Sequence, residues 1–342
     1  MRRHSLRCAT PPVLPRLARF SSSPNKVTVM AGWTTSDMPS QVGRTVLVTG
    51  TGGIGFHVSM ALARAGATVI VAGRNAAKGA AAVAQISQSA PRARVRFGAV
   101  DLASLDSIET FADTLLRSHG SLDILVNNAA VMTPPQRRET ADGFELQLGT
   151  NHLGHFALTA RLLPLLREGR NARVVSLSSI AARQGAMDFD DLQSRRRYVP
   201  MAAYSQSKLA CLLFAFELQR RSAREGWGIQ SIAAHPGIAR TDLLPNGAGP
   251  GSPQALARRY LWFLFQPAEQ GALPPLYAAT APTARAGGYY GPDKLSETRG
   301  HPAAARVPAQ AEDLGVAERL WQESERLTGA TFASRHVRSA SA

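Results

Sequence analysis

A β-branched apolar run, Thr45-Val46-Leu47-Val48-Thr49, stops abruptly at a segment with four glycines, Gly50-Thr51-Gly52-Gly53-Ile54-Gly55. A helical apolar pattern continues to Arg64, and a second apolar run, Thr68-Val69-Ile70-Val71-Ala72, follows. Few folds accept this order. A short apolar run without polar alternation reads as a strand buried on both faces, and such strands belong to parallel sheets. Parallel neighbours need a crossover, and the helical segment between the two runs supplies it.

The unit repeats. Runs at 94–100, 122–126, 173–177 and 228–234 read as further strands. Patterns over about 75–89, 104–118, 142–168 and 200–224 read as helices, the last with Pro200 in its first turn. Strands alternating with helices predict the α/β class. The expected architecture is one doubly wound domain over 41–327, with a mostly parallel sheet of about seven strands and helices on both faces. Neither a composition break nor an internal repeat divides it.

The glycines fit GxGxxG directly after a strand and before a helix. There they permit a tight turn, let the backbone approach a pyrophosphate, and allow close packing of helix on strand. The helix N-terminus adds free N–H groups and a favourable dipole. Gly50, Thr51, Gly52, Gly53, Ile54 and Gly55 are therefore candidate dinucleotide contacts. After the second strand the chain reads Ala72-Gly73-Arg74-Asn75, with no acid to bind a ribose 2′-hydroxyl. Arg74 suits a 2′-phosphate instead, because guanidinium matches phosphate geometry. The expected cofactor is NADP, with NAD left open.

Tyr204-Ser205-Gln206-Ser207-Lys208 puts a phenol and an ammonium four residues apart in a predicted helix. That spacing brings both to one face. A cation beside a phenol favours phenolate, which suits the phenol for proton transfer near neutrality. Alone the spacing is common in helices. It gains weight from its company: Asp101-Leu102 after the third strand, Asn127-Asn128-Ala129-Ala130 after the fourth, Asn151-His152-Leu153-Gly154-His155-Phe156, Ser178-Ser179 after the fifth, and His235-Pro236-Gly237 with Thr241.

Taken in order, these pieces resemble the short-chain dehydrogenase/reductase superfamily and its Rossmann-type domain. The 25-residue step from Ser179 to Tyr204, with Phe189-Asp190-Asp191-Leu192-Gln193 inside it, resembles the retinol dehydrogenase-like branch and its bacterial relatives. The resemblance covers about 45–245, and Tyr289-Tyr290-Gly291 extends it. It implies an oxidoreductase acting on CH–OH donors or their carbonyls, with Asn151, Ser179, Tyr204 and Lys208 as the catalytic set. Tyr204 would be the acid or base, Lys208 would depress its pKa and hold the nicotinamide ribose, and Ser179 would hold the substrate oxygen. Asn151 would anchor a water linking Lys208 to solvent. It also implies cofactor contacts at Asp101, Leu102, Asn127, Ala129, Pro236, Gly237, Ile238 and Thr241. One departure stands out: Thr49 to Gly55 reads TGxxGIG, one residue shorter than the superfamily's usual TGxxxGxG. Cys211 is a second, where relatives often carry a polar residue. His152 and His155 sit on an apolar helix and read as packing or surface residues.

The remaining expectations concern ends, charge and substrate. Residues 1–29 hold six basic residues and no acid, and removing those six from the net charge of +15 leaves +9. Residues 1–40 are expected to be a disordered basic leader, either a transit segment interrupted by prolines or a start placed too early. A cytoplasmic location is expected, or a mitochondrial one if residues 1–29 are a working presequence. The densest basic run is Arg195-Arg196-Arg197, so no nucleic-acid partner is expected. Neither a membrane-length apolar stretch nor a metal-binding spacing of His, Cys and Asp is visible. The segment 240–266, carrying Leu243, Leu244, Tyr260, Leu261, Trp262, Phe263 and Phe265, is expected to form a lid over an apolar carbonyl or alcohol. Residues 328–342 are expected to be a flexible tail, and pairing of two copies through the long helices stays open. A non-catalytic NADP-binding sensor or interaction module is the competing reading.

Overall fold

The computed structural model describes residues 32–239 and 266–332. Residues 240–265, which hold all of the expected lid except Gln266 and include Thr241, lie outside the described residues, as do residues 1–31 and 333–342.

Among the described residues eight strands form one sheet in the order β3-β2-β1-β4-β5-β6-β7-β8. They are β1 (Thr45–Thr49), β2 (Thr68–Gly73), β3 (Arg94–Ala99), β4 (Ile124–Asn127), β5 (Arg173–Leu177), β6 (Gln230–Ala234), β7 (Tyr289–Lys294) and β8 (Arg299–Ala304). All neighbours are parallel except β7 and β8. The chain starts in the middle of the sheet, runs to the β3 edge, and returns past β1 to the other edge. That reversal between β1 and β4 opens the crevice in which doubly wound folds take ligands, beyond the carboxyl ends of the strands.

Alternation along each strand divides the core into two layers. Val46, Val48, Val69, Val71, Ile124 and Val126 meet α1 (Gly53–Arg64) and α2 (Ala76–Ser89) on one face. Leu47, Ile70, Leu125 and Val174 meet α3 (Leu105–Ser118) and a broken helical stretch on the other. That stretch comprises α4 (Leu146–Leu148), a π-helical turn (Gly149–Leu153), α5 (Gly154–Arg161) and α6 (Leu163–Arg167). The longest helix, α7 (Pro200–Glu225), covers β5 and β6, and ends on Gly226 in the left-handed region. Among the described residues the remaining α-helices are α8 (Ala268–Gly271), α9 (Leu273–Thr280) and α10 (Leu314–Thr328).

Four expectations need correction. The sheet has eight strands, not about seven. Gly300 and Pro302 hide β8, an edge strand whose residues are poor strand formers. The single helix expected over 142–168 is interrupted at the π turn and again at Pro164, which cannot continue the ladder of helical hydrogen bonds. The leader does not extend to residue 40. Trp33 is only 2% exposed and meets Tyr277 edge-to-face at 5.4 Å between ring centroids. The tail does not begin at 328, because Phe332 is buried and stacks on Trp227 at 5.7 Å.

Candidate functional site

The site gathers at the carboxyl ends of β1, β4 and β5. Gly50 leaves β1 with φ +100° and its N–H bonded to Ala72 O. Gly53 opens α1 with φ +52°, and Gly52 before it caps the helix without a side chain. The first-turn N–H groups of α1 therefore face the crevice without a side-chain cap. A Cβ on Gly55 would lie 2.5 Å from Gly50 O, so only glycine lets the helix come this close to its strand. Ile54 is buried in the core beneath the loop. A pyrophosphate fits this cradle in spite of the shortened loop.

Two residues that sequence reasoning passed over brace the loop. Thr49 Oγ1 accepts from Asn128 N at 2.9 Å and Ala129 N at 3.0 Å. Asn128 Nδ2 donates to Thr49 O at 2.6 Å. The TG and NNAA segments are thus one unit, joined across β1 and β4. Asn127 points away from the crevice, with Nδ2 donating to Thr159 Oγ1 at 3.0 Å. Leu102 is likewise a core side chain, its carbonyl pressed against Gly154. Any cofactor contact from these two is left to their backbone. Arg74 is exposed at the end of β2, with Nη1 4.0 Å from Asp101 Oδ1.

The catalytic candidates lie on either side of this unit. Tyr204 and Lys208 share a face of α7, and both are buried. Lys208 Nζ stands 5.9 Å from the Tyr204 ring centroid and donates to Leu177 O, the last residue of β5, at 3.1 Å. Ser178 Oγ donates to Lys208 O at 2.8 Å, tying the turn after β5 to the helix. Ser179 follows and caps the short helical turn Ile180–Gln184, accepting from Ala181 N at 3.2 Å.

Asn151 sits in the π turn. Its Oδ1 accepts from Val131 N, and its Nδ2 donates to Val131 O and Ser207 Oγ, all within 3.0 Å. Its carbonyl accepts from His155 Nδ1 at 2.9 Å and from the Cys211 thiol at 3.1 Å. A carbonyl only accepts, so Nδ1 of His155 carries the proton. Its Nε2 then accepts from Thr49 Oγ1 at 2.9 Å. Burial pushes the His155 pKa down to about 4, which suits this neutral form. Burial likewise raises the Cys211 thiol, leaving it a packing residue. His152 is buried too, bonded through Nε2 to Ser324 Oγ at 2.8 Å, and held down to about 3. Both histidines are interior, not surface, residues. The signal for His155 was its spacing from Asn151, one turn away, which only the tertiary position of Thr49 makes meaningful.

Pro236, Gly237 and Ile238 leave β6 beside the same crevice. Gly237 has φ +64°, and a Cβ there would lie 2.3 Å from Thr298 O. Among the described residues no group of three His, Cys, Asp or Glu side chains could hold a metal. No described helix is long and apolar enough to cross a membrane.

Comparison with known proteins agrees with this geometry. The family model for short chain dehydrogenase matches residues 44–248. Polyprenol dehydrogenase of Mus musculus is 43% identical over 306 residues, covering 86% of each chain. Retinol dehydrogenase 13 of Homo sapiens is 42% identical over 294 residues, covering 84% of this chain and 85% of its own. An uncharacterised protein from Mycobacterium paratuberculosis superposes with a TM-score of 0.74 at 39% identity, covering 89% of this chain and 100% of its own. Pseudomonas aeruginosa RhlG, solved as an NADP active-site complex, gives a TM-score of 0.58 at 25% identity over 73% of this chain and 94% of its own. With the glycine cradle, the Tyr204–Lys208 pair and these matches together, the chain belongs to the short-chain dehydrogenase family, as an oxidoreductase of its retinol dehydrogenase-like branch.

Proposed function

We propose that this protein is an NADP-preferring oxidoreductase that interconverts an apolar alcohol and its carbonyl, with Tyr204 as the proton-transfer group. The observation that carries the reading is the buried pair on α7, anchored by Lys208 to the end of β5 and set next to Ser178-Ser179.

NADPH, when bound, supplies the hydride for carbonyl reduction. Ser179 holds the substrate oxygen, and Tyr204 gives its hydroxyl proton to that oxygen as charge develops on it. The Lys208 ammonium opposes the charge left on the phenolate and holds the nicotinamide ribose. Asn151 braces the machinery: it joins the segment after β4 to Ser207, the neighbour of Lys208. A relay water at Asn151 must share a carbonyl that already accepts from His155 and Cys211. Gly50 to Gly55 would receive the pyrophosphate, Asp101 would lie near the adenine, and the backbones of Leu102, Asn127 and Ala129 would line the adenosine side. Pro236, Gly237 and Ile238 would form the nicotinamide wall.

Arg74 carries the NADP preference, being exposed at the end of β2, where a 2′-phosphate would reach it. The RhlG complex with NADP supports the choice. The apolar alcohol class rests on the names of the relatives, which are polyprenol and retinol dehydrogenases. The test is turnover of long-chain apolar aldehydes and ketones with NADPH. Tyr204→Phe is expected to lose about 10³-fold in kcat while still enhancing NADPH fluorescence. Cofactor binding without turnover of any carbonyl or alcohol would favour a non-catalytic sensor instead.

A further inference from the structure

The turn joining β7 to β8 has three consecutive non-glycine residues in the left-handed region: Leu295 at φ +49°, Ser296 at +55° and Glu297 at +67°. Such residues are uncommon singly, and a run of three persists only where the surroundings hold it. Thr298 closes the turn on Lys294 O and Leu295 O, and the Glu297 side chain, turned inward from the hairpin tip, anchors it to the rest of the fold. Its Oε2 accepts from His235 Nε2 at 2.9 Å and pairs with Arg183 Nη2 at 2.5 Å. Its Oε1 accepts from Arg306 N at 2.9 Å.

Each partner belongs to a different element. Arg183 lies in the turn capped by Ser179, and its Nη1 donates to Ser296 O at 3.4 Å. His235 is the residue before Pro236-Gly237. Its Nδ1 accepts from Gly237 N at 3.3 Å, so the proton sits on Nε2 and is donated to the carboxylate. Backbone contacts repeat the link: Ile238 N donates to Thr298 O at 2.8 Å. Gly291 leaves room for the ring, since a Cβ there would lie 2.0 Å from His235 Nε2. One carboxylate thus joins the turn after β5, the turn after β6 and the β7–β8 hairpin.

We infer that Glu297 is a positioning residue that locks the turn carrying Ser179 to the turn carrying Pro236-Gly237, fixing the substrate-oxygen donor against the nicotinamide wall. The lock itself is read from contacts; its bearing on turnover rests on the proposed function. The effect of Glu297 runs through Arg183 and His235, the side chains it contacts.

The experiment compares the full-length protein with Glu297→Ala and Glu297→Gln, the milder change. Amide hydrogen exchange is followed in segments 179–185 and 235–239, with the β1 and β4 amides as the measure of intact fold. Exchange in both segments is expected to rise roughly tenfold or more in Glu297→Ala, and less in Glu297→Gln, with β1 and β4 unchanged. Unchanged protection in either segment of a folded variant overturns the lock. With an apolar carbonyl and NADPH, kcat is expected to fall about 10²-fold in Glu297→Ala, while the NADPH dissociation constant stays within about threefold. Adding Arg183→Ala to it should cost little more, because both act through one contact. A kcat within about twofold of wild type overturns the role in turnover. A wild-type protein without turnover defeats the oxidoreductase reading and leaves the exchange result to decide the lock.

Discussion

The two halves of the sheet are held by different means. On the β3-β2-β1-β4 side, backbone ladders run unbroken, with β1 and β2 paired at five positions from Thr45↔Thr68 to Thr49↔Ala72. On the far side β5 and β6 also pair at five, but β6 and β7 pair at only two, Ala233↔Tyr289 and Ala234↔Tyr290, and the β7–β8 ladder is irregular between Pro292 and Lys294. There, Arg183, His235 and Glu297 supply by side chains what the ladder lacks. The cofactor half is therefore specified by local pattern. The other half depends on contacts between residues far apart in sequence.

Acid should have the largest effect, through histidines buried beneath the helices that cover the sheet. In the unfolded chain each imidazole titrates near 6.5. Folded, burial holds His155 down to about 4 and His152 to about 3. Between those values the unfolded chain takes up protons that the folded one refuses. Stability is whole above the unfolded pKa and falls as pH drops from about 6.5 toward 4, by about 3 kcal/mol for each histidine. His235 on the far side is also lowered by burial, but the Glu297 carboxylate opposes the shift. The urea midpoint of wild type should fall over this range, and that of His155→Gln should fall less steeply. A midpoint independent of pH between about 4 and 7 would sink the assignment of neutral buried imidazoles.

A pair of glycine substitutions sharpens the contrast. In Gly55→Ala the new methyl meets the Gly50 carbonyl at 2.5 Å, which is backbone and cannot swing aside. In Gly291→Ala it meets the His235 ring at 2.0 Å. Each overpacks its site by about 1–3 kcal/mol. Gly55→Ala should weaken NADPH binding by tenfold or more, at roughly that cost in affinity. Gly291→Ala should leave binding nearly intact and lower kcat. Equal losses of cofactor affinity in both variants would show that the two halves are not separable in this way.

What could be read from the sequence follows the same line. The strands 45–49, 68–72 and 173–177 declare themselves, because burial on both faces demands unbroken apolar runs. The glycine cradle and the Tyr204–Lys208 pair are short-range patterns, and the fold brings them to one end of the sheet. β8 was hidden by Gly300 and Pro302, and the π turn at 149–153 by a smooth apolar period that gives no sign of one extra residue per turn. Trp33 and Phe332 looked like parts of the leader and the tail because their partners, Tyr277 and Trp227, are distant in sequence. Glu297 carries no local pattern that marks it. Nothing within several positions of it indicates that its carboxylate would meet Arg183 and His235.

The smallest effect tests the cofactor half at its edge. Arg74 lies at the end of β2, where its guanidinium is 4.0 Å from Asp101 and its side chain is 64% exposed. A buried guanidinium–phosphate pair would be worth two orders of magnitude in affinity, but solvent screens a group this open, and exposed ion pairs contribute about 1 kcal/mol or less. Asp101 competes for the same guanidinium and reduces the gain further. Arg74→Ala should therefore weaken NADPH binding by only about fivefold, leave NADH binding unchanged, and narrow the difference between the two cofactors. Because the interaction is screened, the loss should shrink as salt is raised past physiological strength. If NADPH and NADH weaken together, Arg74 acts on the fold of the β2–α2 turn and not on the 2′-phosphate. If neither changes, the preference lies elsewhere on the adenosine side, and the TGxxGIG loop is the next place to test.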